Sequence, residues 1–222
     1  MLARVLLLST MSVQALGPIT LYTNKITLYT NKMCPFAQRC AVALNFAGVD
    51  WTCVEVNLYG SGGFDKGKLR AVESAGGLAP KGYIPVLQVG DEVVRESSEC
   101  VRRIAALAPA LAPDDEAAAD RMMALCDGKL ADEGRSVVAS GGTRSPGLDA
   151  CLGQIDAALA TTTYVAGDTF STADACLLPF LWRIDDSLEL PPQFPHLRRY
   201  VTSACAEPAF RATVVSSWWW WW

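Results

Sequence analysis

The stretch that most constrains this chain runs from Ile26 to Leu44, where one periodicity gives way to another at a single cysteine. Ile26-Thr27-Leu28-Tyr29-Thr30 alternates apolar and polar residues, the pattern of a half-buried strand. From Cys34 onward Ala37, Cys40, Ala41 and Leu44 recur at helical spacing, and Gly48 closes the segment. Pro35 suits the first helical position, where its missing N–H is no loss, so Cys34 is expected at the helix N-cap. There the unpaired backbone N–H groups and the helix dipole favour an anion. Such a setting lowers a thiol pKa from about 8.5 into a range of roughly 3.5 to 7.5. The expectation is a thiolate at neutral pH, nucleophilic without a histidine base.

The elements that follow suggest how this unit closes. Thr52 to Leu58 alternates, with Val54, Val56 and Leu58 on one face. A Gly60-Ser61-Gly62-Gly63 loop leads to a short helix near Lys68 to Glu73. Ile84 to Val89 and Glu92 to Arg95 read as strands joined by the two-residue turn Gly90-Asp91. Ser97 is an expected N-cap for a helix with Cys100, Val101, Ile104 and Leu107 on one stripe. A parallel strand-helix-strand unit followed by a helix and a hairpin is a thioredoxin-like arrangement, placed at residues 26–107.

Residues 108–113 form a Pro/Ala linker, and residues 114–215 read as all-α. Ala118, Ala119, Met122, Leu125 and Cys126 make one apolar stripe; Leu148, Cys151, Leu152, Ile155 and Leu159 make another. Ser140 to Gly147 is expected to be a loop. Ser171-Thr172-Ala173-Asp174 is a capping box with Asp in the usual Glu/Gln place, opening a helix in which Pro179 should introduce a kink. The two ends are unusual. Residues 1–25 combine a short apolar, Arg-containing start, readable as a targeting segment or an extension, with the first copy of the exactly repeated heptapeptide Ile19–Lys25 and Ile26–Lys32. The second copy, abutting Cys34, is assigned the strand. Residues 216–222 end in five tryptophans, read as a low-complexity tail.

Composition narrows the functional classes. A net charge of -4 gives no electrostatic reason for a nucleic-acid partner. No apolar run reaches the roughly 20 residues that span a bilayer. The eight cysteines lie singly, and the only histidine is His196, which argues against both a disulfide framework and a zinc site. Singly placed thiols fit a reducing compartment, so a cytoplasmic location is expected, or an organelle such as a plastid if the N-terminal segment targets. Seven of the cysteines are read as structural. Cys34 is the exception, and its chemistry is monothiol, because Ala37 occupies the position a resolving cysteine would need. A small external thiol, glutathione, is then the resolving group.

Two further motifs suit such a ligand. In Tyr83-Ile84-Pro85-Val86-Leu87, a proline at the start of a strand is either cis, turning the N–H and C=O of Ile84 outward to pair with an extended peptide, or an ordinary edge-strand proline. In Glu96-Ser97, the carboxylate can meet the γ-glutamyl ammonium while the hydroxyl and a helix N-terminus meet its carboxylate; a plain cap with an acidic neighbour is the alternative.

Cys34-Pro35-Phe36-Ala37-Gln38-Arg39 resembles the active-site motif of omega-class glutathione transferases and of their relatives, the lambda class and plant dehydroascorbate reductases. Tyr83 to Leu87 is similar to their cis-proline strand and Glu96-Ser97 to their γ-glutamyl-binding pair. Tyr164 to Asp174 resembles the capping motif of the superfamily's helical domain. The resemblance implies an α/β thioredoxin-like N-terminal domain followed by an all-α C-terminal domain. It also implies glutathione as co-substrate, no metal, Cys34 as the catalytic nucleophile, and Pro35, Phe36, Ile84, Pro85, Glu96 and Ser97 around glutathione. A lysine after the second strand belongs to the same pattern; the Gly-rich insertion leaves Lys66 or Lys68, and Lys68 is taken as the contact. The implied activity is glutathione-dependent thiol transfer or dehydroascorbate reduction on small electrophilic or disulfide substrates, with a homodimer left open. A chloride-intracellular-channel-like protein is disfavoured, because Arg39 and Asp50 are costly in a bilayer. Intact Cys34 and Glu96-Ser97 argue against an interaction domain that has lost catalysis.

Overall fold

The computed structural model describes residues 25–214 except 61, 140 and 141. The expected targeting segment, the first heptapeptide copy through Asn24, the Ser140-Gly141 part of the expected loop and the tryptophan tail lie outside the described residues. The chain begins with β1 (Ile26–Thr30), α1 (Pro35–Phe46) and β2 (Thr52–Asn57). It continues with β3 (Phe64–Asp65), α2 (Lys66–Ala75), β4 (Val86–Val89), β5 (Glu92–Arg95) and α3 (Ser97–Leu107). The sheet order is β3-β2-β1-β4-β5; β2 lies parallel to β1 and β3, while β4 is antiparallel to β1 and β5. This is the expected thioredoxin-like sheet with one additional strand. β3 escaped the sequence reading because only Phe64 and Asp65 pair, opposite Val56 and Asn57, just past a run of glycines.

β1 departs from the half-buried expectation: all five residues are buried, Thr27 and Thr30 included. The cause is tertiary. β1 is the central strand, with α1 and α3 covering one face and α2 the other. On the α2 side Tyr29, Val56, Leu69 and Val86 form a small core; on the other, Ile26, Leu28, Leu87 and Val89 join a core continuing into the helical unit. Gly48 ends α1 as expected, at φ 63°, a left-handed conformation that costs glycine little. Ser97 is the first helical residue of α3, and Glu96 holds the N-cap position expected for it.

The expected linker is itself structured. Pro109–Leu111 make a 3₁₀ turn, and Leu111 is buried. The helical unit follows as α4 (Glu116–Leu125), α5 (Ala131–Ala139), α6 (Pro146–Ala158), α7 (Thr172–Leu188), α8 (Pro195–Ala206) and α9 (Pro208–Arg211). A π-helical turn, Cys126–Leu130, joins α4 to α5 without a break. The α4 stripe is turned by about one residue from the expected one: Ala119, Met123 and Cys126 are buried, while Ala118, Met122 and Leu125 are only partly so. The α6 stripe is buried as expected. Pro179 sits inside α7, which runs on through it. α1 packs against α7, with the Phe36 and Phe180 rings edge to face at 5.1 Å; Phe46 stacks on Phe170, just before α7, at 3.6 Å.

The capping box at the start of α7 is present. The fully buried Asp174 carboxylate accepts from Ser171 N (2.9 Å), Ser171 Oγ (2.8 Å) and Val165 N (3.1 Å), tying the preceding turn to the helix. Asp174→Ala strands these donors. A loss of about 2–4 kcal/mol in stability is expected, read as a lower denaturant midpoint at unchanged slope.

Candidate active site

Backbone bonds set the position of the Cys34 thiol. Cys34 is the N-cap of α1, at φ -87° and ψ 116°, with Pro35 in the first turn. Its amide donates to Asn31 O and its carbonyl accepts from Gln38 N, both at 3.0 Å. Asn31, buried, fixes the approach: its side-chain amide donates to Val56 O (3.1 Å) and its Oδ1 accepts from Met33 N (3.0 Å). The loop from β1 into α1 is thereby tied to β2.

The thiol is half-buried. Burial pushes it above its ordinary range. The amides of Ala37 and Phe36, then the charges of Arg183 and Arg39, pull it back only in part. The expectation of a thiolate at neutral pH is therefore corrected for the ligand-free protein: the helix-terminal amides are in place, but desolvation outweighs them. Burial lowers Arg183 to about 10, which leaves it charged at neutral pH. Among the other thiols, burial raises Cys126 to about 11 and Cys176 to about 12. Cys53 departs from the structural reading, being exposed on β2.

A cavity of about 240 Å³ opens next to Phe36, lined by Lys81, Tyr83, Ile84, Pro85, Arg95, Glu96 and Ser97 as well. A neighbouring groove of about 410 Å³ shares Phe36, Glu96 and Ser97 and reaches Ser98, Glu99, Arg102 and Asp127. The Ile84-Pro85 bond is cis, which decides between the two sequence readings of that proline. Cys34 lines neither cavity and connects to both through Pro35-Phe36. Glu96 is exposed and holds φ 63°, a conformation costing a non-glycine residue about 1–3 kcal/mol.

Of the sequence-predicted residues, Phe36, Ile84, Pro85, Glu96 and Ser97 come together, whereas Lys68 does not join them. Lys68 is exposed at the start of α2, where its ammonium donates to Gly63 O and its amide to Asp65 Oδ1. The lysine in the cavity is Lys81, whose Nζ lies 3.7 Å from Glu96 Oε1. Both partners are exposed, so this pair is weak and leaves the carboxylate available to a ligand. The loop carrying Lys81 is clamped from behind. Glu73, fully buried, accepts from Lys81 N and Gly82 N at 2.7 Å, while Arg95 donates to Ala79 O at 2.6 Å and lies 3.4 Å from Glu73 Oε1. The sequence signal for Lys81 was its place four residues before Pro85; Arg95 had only its position before Glu96-Ser97. No group of residues that could hold a metal ion occurs among the described residues.

The family models for the glutathione S-transferase N-terminal domain and C-terminal domain match residues 33–107 and 146–203. Solved structures of similar fold include glutathione transferase Omega 2S from Trametes versicolor in complex with 2,4-dihydroxybenzophenone (22% identity, TM-score 0.71, covering 86% of this chain and 94% of that one). The theta-class glutathione S-transferase from Xanthomonas axonopodis pv. citri, with glutathione bound, is 27% identical with a TM-score of 0.68, covering 87% and 99%. An epsilon-class enzyme from the housefly Musca domestica is 20% identical with a TM-score of 0.69, covering 86% and 92%. No curated protein matches the chain. With both family domains matched in order on an α/β unit and a helical unit, the chain belongs to the glutathione transferase superfamily, and omega-class enzymes are among its structural relatives.

Proposed function

We propose that this protein is a glutathione-dependent thiol transferase of omega-like type, with Cys34 as a monothiol nucleophile. The observation that carries the reading is the placement of Cys34 at the α1 N-cap, where the amides of Phe36 and Ala37 favour its anion, with Ala37 where a second thiol would stand. In the first step the Cys34 thiolate attacks the glutathionyl sulfur of a mixed disulfide; a Cys34–glutathione disulfide forms and the substrate leaves as thiolate. A second glutathione thiolate then attacks that glutathionyl sulfur, releasing glutathione disulfide and regenerating Cys34. With dehydroascorbate as substrate, the two electrons come from two reduced glutathione molecules, which leave as glutathione disulfide.

Glutathione fits the cavity by chemistry. Ile84, on the cavity wall, suits strand-like pairing with a peptide, Glu96 suits the γ-glutamyl ammonium, and Ser97 with the α3 N-terminus suits its carboxylate. Lys81, in place of Lys68, offers a cation on the same wall. The glutathione-bound theta-class relative supports the assignment. Conjugation to aromatic electrophiles is expected to be slow, since a cysteine occupies the place where a hydroxyl would activate glutathione. Among the described residues no helix is long and apolar enough to cross a membrane.

Turnover of hydroxyethyl disulfide with glutathione should fall about 10³-fold or more in Cys34→Ser, with glutathione binding retained. A wild type that binds glutathione yet turns over neither this disulfide nor dehydroascorbate would overturn the reading. The resting thiol gives a second test. Alkylation of Cys34 in the ligand-free protein, followed on its own peptide by mass spectrometry, should accelerate as pH rises, with a midpoint above the usual value of about 8.5. A midpoint near 7 would mean that the helix terminus outweighs burial.

A further inference from the structure

Among the described residues one guanidinium has no exposed surface yet touches the wall of the proposed glutathione cavity. Arg39, five residues past Cys34 on α1, donates through Nη1 to the Ser97 hydroxyl at 3.0 Å. The same nitrogen meets Asp127 Oδ1 at 2.5 Å. Asp127 sits in the π-helical turn of the helical unit, and its other oxygen accepts from Ser98 Oγ at 2.6 Å. Nε and Nη2 are occupied by Cys176 O and Cys126 Sγ, both at 3.0 Å. The guanidinium is therefore held on several sides, and it cannot accept a hydrogen bond.

That geometry fixes the polarity of Ser97. A hydroxyl carries two accepting lone pairs and one proton; here Arg39 donates to one lone pair, and among the described residues the proton goes to no protein acceptor. Its proton is left for a ligand. Ser97 lines both cavities at the first turn of α3, where the backbone amides already favour an anion.

We propose that Arg39, held in place by Asp127, is a positioning residue that makes the Ser97 hydroxyl a committed donor to the γ-glutamyl carboxylate of glutathione. The assignment rests on the preceding reading of the cavity as a glutathione site. It gives the π-helical turn a task, because the extra residue of that turn lies where the helical unit delivers Asp127 to α1 and α3; such turns are frequent at functional sites. Lysine cannot replace Arg39, since a point charge cannot reach Ser97, Asp127 and Cys176 O together.

The test is calorimetric binding of glutathione, and of its analogue lacking the γ-glutamyl carboxylate, to the full chain. Asp127→Asn and Ser97→Ala are compared with wild type, and Asp120→Asn serves as control, since Asp120 on α4 pairs with Arg102 of α3. Arg39→Lys is a further variant, but it alters a fully buried charge and can fail to fold. Asp127, about 43% exposed, carries the test without it. Asp127→Asn is expected to weaken glutathione binding about ten-fold and leave binding of the analogue unchanged. Adding it to Ser97→Ala should cost little more, and Asp120→Asn should match wild type. Equal weakening of both ligands, or additive losses in the double variant, would overturn the proposal and leave Asp127 a structural residue. Tight glutathione binding by Asp127→Asn would overturn it while sparing the glutathione site. A wild type that binds neither ligand would overturn both.

Discussion

A fully buried positive charge holds the two halves of this protein in register. Removing a guanidinium from water costs several kcal/mol even after the protein relaxes, so such a group persists only where partners surround it. Around Arg39 they do: one carboxylate, two serine hydroxyls, a backbone carbonyl and a thiol lie within hydrogen-bond reach, and the rings of Phe36 and Phe180 stand 5.0 and 4.7 Å from the guanidinium carbon. These groups come from α1, α3, α7 and the π-helical turn. Losing any one strands part of a charge that has no access to solvent. The constraint therefore acts on the relative placement of all four elements, more narrowly than apolar packing does.

The same neighbourhood shows why one cysteine differs from the rest. Cys126 is 3.0 Å from the Arg39 guanidinium, yet burial still raises it to about 11. A nearby cation is thus not enough to make a reactive thiol in this interior. Cys34 differs from Cys126 and Cys176 in two respects: it is only half-buried, and it caps α1, where the amides of Phe36 and Ala37 favour its anion. Those amides are fixed by the helix itself, so stabilising an anion there needs no rearrangement. Position on the helix, more than net charge nearby, separates the candidate nucleophile from the structural thiols.

Features that a few consecutive residues determine were legible in the sequence. Pro35 set the start of α1 and hence the N-cap position of Cys34; Gly90-Asp91 set the hairpin; Ser171 to Asp174 set the start of α7. Features produced by distant pairing were not. β1 read as half-buried because alternation describes a strand with one wet face, whereas β1 is covered on both. The lysine was sought just after β2, at Lys66 or Lys68, but Glu73 folds the later loop back so that Lys81 reaches the cavity. The Arg39–Asp127 contact spans 88 positions and depends on a π-helical turn that no residue pattern announced.

The apolar core obeys the same logic as the polar joint. One contiguous cluster runs from Ile26 and Leu28 on β1 through α1 and α3 to Phe180 on α7 and Phe210 on α9. α1 is buried from Ala37 to Leu44, with the sheet on one side and α7 on the other. Removing the helical unit would expose that second side, at about 1.5–3 kcal/mol for each large apolar side chain returned to water. It would also leave Arg39 without Asp127 and without the Cys176 carbonyl. A domain's whole stability is about 5–15 kcal/mol, so these losses are large enough that the α/β unit would not hold its site alone. The helix that presents Cys34 is thus stabilised as much by the helical unit as by its own sheet. The two units are separate in sequence and in fold type, but energetically they share one core and one buried charge.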